Sequence, residues 1–570
     1  MQASFKPQAL AGLLGVALLL GLLVMGTQAG TQGKPAQTYT GDTYVEAMVG
    51  APRWVNPLLA VSDTDRDLAH LVFNGLSRAD RQGNLVGDLA SGWEAAPDST
   101  VFTFTLKPDL TWHDGEPLTA GDVLFTIGLL QAEGFPGDPA LALPWRSVTM
   151  TSPVESAIVF KLTSPNASFP QYTTLGILPR HIWESVKPAD MPGSEWNLSP
   201  VGSGPWRYAR LQNPADGTGA TDAISSAVSS QVAQSVQTND GVLLVRRTGM
   251  PGERHGIERI WFRLYPAFGA ALTGLDMGEV HGLGHILAED LEAVASVPGV
   301  SLHTQNLARY NMLIVNLDSP LFDKVETRRA LQLAIDRETV SGDEQERVAR
   351  PLSGPILPHS WAYDLACSPP HPQNVAEARR LLDAAGWIVG PSGVRARNGI
   401  PMTVVVAANS DVPTNVTMTQ QVVNDLRWVG VDARMVAVSR DVLLRDYLGP
   451  RAFHIVLAGW EAKGADPDLY DYWHSSQAAT GGLNFAGWSS PAADKALEMA
   501  RANPQREARK PVLCDFQSAF AADVPAIVLS TPLYTYATRS PAGGVTLPMA
   551  DMLSPANRFD TLDSWSLQAP

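Results

Sequence analysis

Cysteine is nearly absent from this chain: Cys367 and Cys514 are the two in 570 residues. Neither sits in a C-x-x-C pair or in a metal-ligand spacing, so a zinc site or a thiol redox motif is excluded. The reading that follows is two unpaired buried thiols, with a disulfide between them left open. Positive charge is also short, with 42 Lys and Arg against 57 Asp and Glu and a formal net charge of −15. A phosphate-backbone binder needs a basic footprint, so nucleic acid is not an expected partner. No G-x-S-x-G elbow and no H-E-x-x-H pair occurs, and the eleven His residues are scattered. Catalytic residues, metal ligands and cofactors are therefore expected to be none, and a secreted hydrolase is the rival class. Asp466 and Asp468 would have to serve as its acid pair, and spacing alone does not establish the carboxylate separation such a pair needs.

Apolar runs are short except at the start. Ala9–Gly26 is uncharged and rich in Leu, Lys6 precedes it, and Thr27-Gln28-Ala29 offers small residues for cleavage. This is the pattern of a secretory signal, and its length also suits an uncleaved membrane anchor. The chain is expected to be exported, to the periplasm or the outer face of the cytoplasmic membrane. No cysteine precedes position 367, so a lipoprotein is excluded. At 570 residues the chain is too long for one core, and 17% charged with 45% hydrophobic residues is the balance of a folded protein.

What is present is most specific between Leu89 and Val123. A helical turn ending at Trp93 is expected there, then the alternating strand Val101–Leu106. Trp112-His113 leads into the turn Asp114-Gly115-Glu116-Pro117, and Thr119 stands where its hydroxyl caps a helix beginning at Ala120. Taken with Thr119-Ala120-Gly121-Asp122-Val123, this order of residues resembles the signature of the family 5 extracellular solute-binding proteins, the peptide, nickel and opine class serving bacterial ABC importers. Further segments resemble the same family: Asn56-Pro57, Leu178-Pro179-Arg180-His181, Val201-Gly202-Ser203-Gly204-Pro205-Trp206 and the helix Arg328–Arg337. The glycines at 202 and 204 lack the Lys-Ser/Thr of a phosphate loop, and a tight chain crossing accounts for them better.

The resemblance implies an α/β fold of the periplasmic-binding-protein-like type II class, two hinged lobes with an extra β-rich domain inserted in the first. The expected division is a signal peptide or anchor at 1–29, a linker at 30–41 and the first segment of lobe I at 42–84. The inserted domain II follows at 85–199, then lobe I again at 200–302 with a Ser/Ala/Gln-rich flexible insertion at 211–241. Lobe III takes 303–537, and 538–570 returns to lobe I. Alternating strands and helices after Met402 suggest a mostly parallel sheet in lobe III.

The resemblance places ligand contacts in the loop Gly459–Tyr470, which follows a buried strand. Trp460 is the expected wall of the cleft. Lys463 stands where peptide-binding relatives carry an Asp that pairs with the ligand's ammonium, and Asp466 is the third candidate. A lysine facing an ammonium in a poorly solvated pocket is repulsive, so an anion or hydroxyls would suit that end better; outward, Lys463 would pair with Asp466 or Glu461. From lobe I, Val61, Ser62 and Asp63 match the edge segment that bonds the ligand main chain. Peptide is the expected solute and oligosaccharide the second, given fifteen Trp residues. The permease subunits of an ABC importer are the expected protein partner and the chain is expected to be a monomer, with Ala9–Gly26 as a membrane tether if it is not cleaved. A membrane-tethered sensor is the third reading.

Overall fold

A computed structural model describes residues 42–209, 241–247, 256–342, 349–479 and 481–567. The expected signal, the linker and all but the last residue of the 211–241 insertion lie outside the described residues. Among the described residues no helix is long and apolar enough to cross a membrane.

One strand organises the rest. Ala526–Arg539 runs for 14 residues and is buried along most of its length. Its first part pairs antiparallel with Arg309–Val315, and its second part, from Leu533, pairs antiparallel with Val300–Asn306. The strand therefore belongs to both lobes, and the neighbouring chain crosses between them at Leu307-Ala308. At the crossing the Thr531 hydroxyl donates to the Leu307 carbonyl at 2.8 Å and the Leu307 N–H to the Pro532 carbonyl at 2.9 Å. Pro532 has no N–H to give to a ladder, so pairing thins where bending is needed. The two lobes share one twelve-stranded sheet through this passage.

In the first lobe Thr43–Val49 lies parallel to Arg259–Tyr265, in register from Thr43 opposite Arg259 to Val49 opposite Tyr265. Gly241–Arg246 continues that side antiparallel. A separate four-stranded antiparallel sheet holds Ala90–Ala95, Val101–Leu106, Ala157–Lys161 and Thr149–Val154. The expected helical turn ending at Trp93 is a strand instead. Trp93 sits opposite Phe104 and stacks on it at 5.6 Å, an aromatic cross-strand pair that outweighs local helix preference. The helix Ala120–Gln131 starts where expected: Thr119 and Asp122 form a reciprocal capping box, contributing about 1 kcal/mol.

The glycines at 202 and 204 mark a chain crossing. The Gly204 N–H donates to the Val72 carbonyl at 2.8 Å at the end of the helix Asp63–Val72, and a Cβ at either glycine would collide with the backbone there. His113 completes it. Its Nδ1 accepts from the Gly202 N–H at 3.2 Å and its Nε2 lies 2.9 Å from the Gly204 carbonyl. One nitrogen accepting and one donating requires a neutral ring, and burial pushes its pKa down to about 4.

In the second lobe Asp432–Val438, Thr403–Asn409 and Ile455–Glu461 run parallel, with the helix Pro413–Trp428 as a crossover. The sheet as a whole is mixed rather than mostly parallel. Arg309–Val315 and Ala526–Arg539, the strands that enter and leave the lobe, join it antiparallel. The two cysteines are not free thiols: Cys367 and Cys514 form a disulfide with Cα atoms 5.3 Å apart. Cys514 lies on the helix Arg506–Asp523, and 147 residues of separation hide its partner from a local reading.

Candidate functional site

A cleft of about 1270 Å³ separates the lobes. Lobe I contributes the segment from Pro57 to Val61 with Asp63 and Arg66, and the turn Arg78–Gln82; the second lobe contributes Arg309, Glu461 and Lys463. Behind them stands a buried ionic framework. The Arg558 guanidinium donates in a fork to Asp67, at 2.8 and 2.6 Å, and to Glu46 at 2.9 Å. Tyr536 donates its hydroxyl proton to Glu46 at 2.6 Å. Burial raises the Glu46 pKa. Burial also opposes charge on Asp67, yet Arg558 and His285 outweigh it and hold that carboxyl well below the usual range.

His285 links this framework to the cleft. Its Nδ1 lies 3.1 Å from Asp63, which faces the cleft, and its Nε2 lies 3.6 Å from Asp67. Burial alone would lower its pKa, but the two carboxylates raise it to about 9, so the ring is a cation at neutral pH. His281 behaves in the opposite way: burial lowers its pKa to about 4, and its Nδ1 accepts from the Val45 N–H at 2.9 Å.

The expected ligand residues fall in three places. Val61, Asp63 and Lys463 line the cleft, and Val61 and Lys463 are exposed to it. Ser62 caps the helix Asp63–Val72, its hydroxyl accepting from the Asp65 N–H at 3.1 Å. Trp460 and Asp466 lie elsewhere. Trp460 is 5% exposed in the core of the second lobe, stacked on Tyr310 at 4.9 Å with Tyr472 edge-on at 6.2 Å. Strand alternation decides this: Glu461 and Lys463 are exposed, while Trp460 and Ala462 point inward.

Asp466 bridges the lobes. It accepts from the Ser168 hydroxyl of the inserted domain at 2.8 Å and takes two bonds from Arg509 of its own lobe, at 2.7 and 2.5 Å. Asp468 repeats the arrangement with Arg501, at 2.9 and 2.7 Å, and with Asn166 across the gap at 3.4 Å. The Ala167 N–H donates to the Arg501 carbonyl at 2.8 Å. The lobes are thus held together at the hinge strands and again at this latch. Arg309, His285 and Arg558 carry no local signal in the sequence; Arg309 reaches the cleft because it pairs in register with Glu461.

A hinged pair of lobes around a large cleft is the arrangement of a protein that encloses a solute. Residues 84–482 match the family model of the bacterial extracellular solute-binding proteins, family 5 middle. The chain belongs to this family. This solute-binding protein is 24% identical over 482 residues to the oligopeptide-binding protein AppA of Bacillus subtilis, covering 83% of each chain. It is 25% identical over 456 residues to an ABC transporter peptide-binding protein of Brucella ovis named as putative, covering 77% of this chain and 78% of that one. Its fold matches the structure of Bacillus subtilis AppA in complex with a nonapeptide, with a TM-score of 0.67 and 22% identity over 94% of this chain and all of that one. HbpA2 of Haemophilus parasuis has the same fold, with a TM-score of 0.76 and 18% identity over 93% of this solute-binding protein and all of that chain. Among the described residues no group of three or more His, Cys, Asp or Glu is placed to hold a metal ion.

Proposed function

We propose that this chain captures an oligopeptide between its lobes and delivers it to the permease subunits of an ABC importer, acting outside the cytoplasm as a monomer without chemical turnover. The observation that carries the reading is the cleft. At about 1270 Å³ it exceeds the roughly 300–1,000 Å³ of a pocket for one small molecule, and both lobes line it. Relatives named for oligopeptide and peptide binding support the same solute class. Val61, Asp63 and Lys463 are the ligand-facing residues of this reading. Ser62 holds the segment between Val61 and Asp63, Trp460 supports the floor beneath Glu461, and Asp466 acts on closure.

The Cys367–Cys514 disulfide suits an oxidising compartment, which fits export, with Ala9–Gly26 as signal or tether. His113 and His281 are committed to structural bonds rather than held free for proton transfer. Closure requires ligand to bind the closed form better than the open one; a swing from 1:99 to 99:1 takes about 5.5 kcal/mol of differential affinity. Titration calorimetry of the exported chain against short peptides and oligosaccharides, paired with solution scattering, tests the proposal. Micromolar or tighter peptide binding with a more compact envelope is expected. Oligosaccharide binding without peptide binding, or turnover of any peptide, overturns it.

A further inference from the structure

Charge in the cleft is unevenly committed. Its carboxylates are mostly engaged: Asp63 faces His285, Asp560 lies 2.6 Å from His70, and Asp563 lies 2.9 Å from Arg246. Asp80 and Asp138 accept from backbone N–H groups of their own turns, and Asp88 accepts from Asn74 at 2.8 Å. Arg66, His70, Arg246 and His285 are the basic partners in the cleft, and five other cations differ from them. Arg78, Arg81, Lys107, Arg309 and Lys463 line the cleft, are exposed to it and form no ion pair with a carboxylate among the described residues. Glu461 is the one cleft carboxylate left without such engagement among the described residues.

These groups converge where the lobes meet. Arg309 sits opposite Glu461 in the ladder, and the Ala462 N–H donates to the Ala308 carbonyl at 2.8 Å, which fixes Lys463 beside them. From lobe I, the turn that carries Arg81 approaches the same loop: a Cβ on Gly83 would stand 3.8 Å from Ala465. Between them lies Gln171, 3% exposed, lining the cleft and packed against Gly464. Its side-chain carbonyl oxygen has no partner among the described residues. An unpartnered acceptor in a cleft wall calls for a donor, such as a main-chain N–H of the ligand, and cannot itself bond a carboxylate.

We infer that this end of the cleft takes a carboxylate, and that the protein selects acidic peptides, with Arg81, Arg309 and Lys463 as the specificity-determining cations. The inference rests on the peptide reading above. An arginine can receive a carboxylate as a fork, and Lys463 adds a mobile point charge. The same field repels a basic or amino-terminal group placed there. Either the carboxyl terminus of the peptide or an acidic side chain can supply the group.

The experiment is titration calorimetry of the exported chain with one peptide sequence in four forms: Asp-containing, the same with Asn for Asp, with Lys for Asp, and C-terminally amidated. At low salt the Asp form is expected to bind at least tenfold more tightly than the Asn form if a side chain is held. If the chain terminus is held, amidation costs the tenfold instead. In either case Lys463→Gln combined with Arg309→Gln is expected to abolish the preference, while Lys495→Gln on the outer face of the helix Pro491–Ala502 leaves it. Equal affinity for all four forms, or preference for the Lys form, overturns the inference and leaves the peptide reading standing. Absence of binding by every form overturns both.

Discussion

The Ser168 hydroxyl donates to the Asp466 carboxylate at 2.8 Å across the gap between the inserted domain and the second lobe. Arg509, 2% exposed, neutralises Asp466 from within its own lobe, so the carboxylate is in place whether or not Ser168 arrives. The Ser168 hydroxyl also accepts from the Arg509 guanidinium at 2.9 Å, so it meets both members of the ion pair across the gap. Taken as a contact that closure completes, the latch predicts that Ser168→Ala weakens ligand affinity by about tenfold, the equivalent of about 1.4 kcal/mol, chiefly through faster release. Stopped-flow release and calorimetry measure it; unchanged affinity would remove the latch from the mechanism.

Arg558 makes the second prediction. It is 1% exposed and satisfies Glu46 and Asp67 at once, tying the carboxy-terminal segment Pro555–Ser564 to the first strand and the first long helix. Arg558→Met leaves Glu46 buried without a cation and Asp67 with His285 alone, and is expected to cost about 3–5 kcal/mol. Urea denaturation checks the size. Adding Glu46→Gln and Asp67→Asn to the same chain is expected to restore part of the loss, because the uncompensated charges, not the missing contact, dominate it.

The disulfide constrains the unfolded chain across 147 residues. Replacing Cys367 and Cys514 together by serine is expected to lower stability by about 2–5 kcal/mol. Neither residue lines the cleft, so ligand affinity should be retained. Thermal melts with and without reductant separate the cases: the native chain responds to reductant and the double variant does not.

Local patterns carried much of this fold. The alternation of Val101–Leu106 and the Thr119 cap are decided within a few residues, and both appear as the sequence predicts. What the sequence could not show was set by pairing at long range. Trp93 joins a strand because Phe104 lies opposite, and Cys367 finds Cys514 because a loop packs on a distant helix. The cleft loop illustrates the boundary: its position after a buried strand was readable, but which of Trp460, Lys463 and Asp466 faces the cleft depends on register with Arg309 and on a partner from another domain. The framework around Arg558 joins residues 46, 67 and 558, and no window along the chain contains them together.

The last prediction concerns pH. His285 has its pKa raised to about 9 by Asp63 and Asp67 against the cost of burial. A base whose folded pKa exceeds its unfolded value of about 6.5 stabilises fully below that value, and the contribution is lost as pH rises through about 9. His113 and His281, lowered to about 4 by burial, act on the other flank: their neutral forms are favoured, and stability falls as pH drops from about 6.5 towards 4. The urea midpoint should therefore decline on both sides of neutrality. His285→Gln is expected to cost about 2 kcal/mol at pH 6, discounted for the exposed part of the ring, and to flatten the alkaline decline while leaving the acid one unchanged. Because Asp63 faces the cleft, the same variant should also free its carboxylate and reduce any preference for acidic ligands. An alkaline decline of undiminished slope in the variant would show that His285 is not the group titrating there.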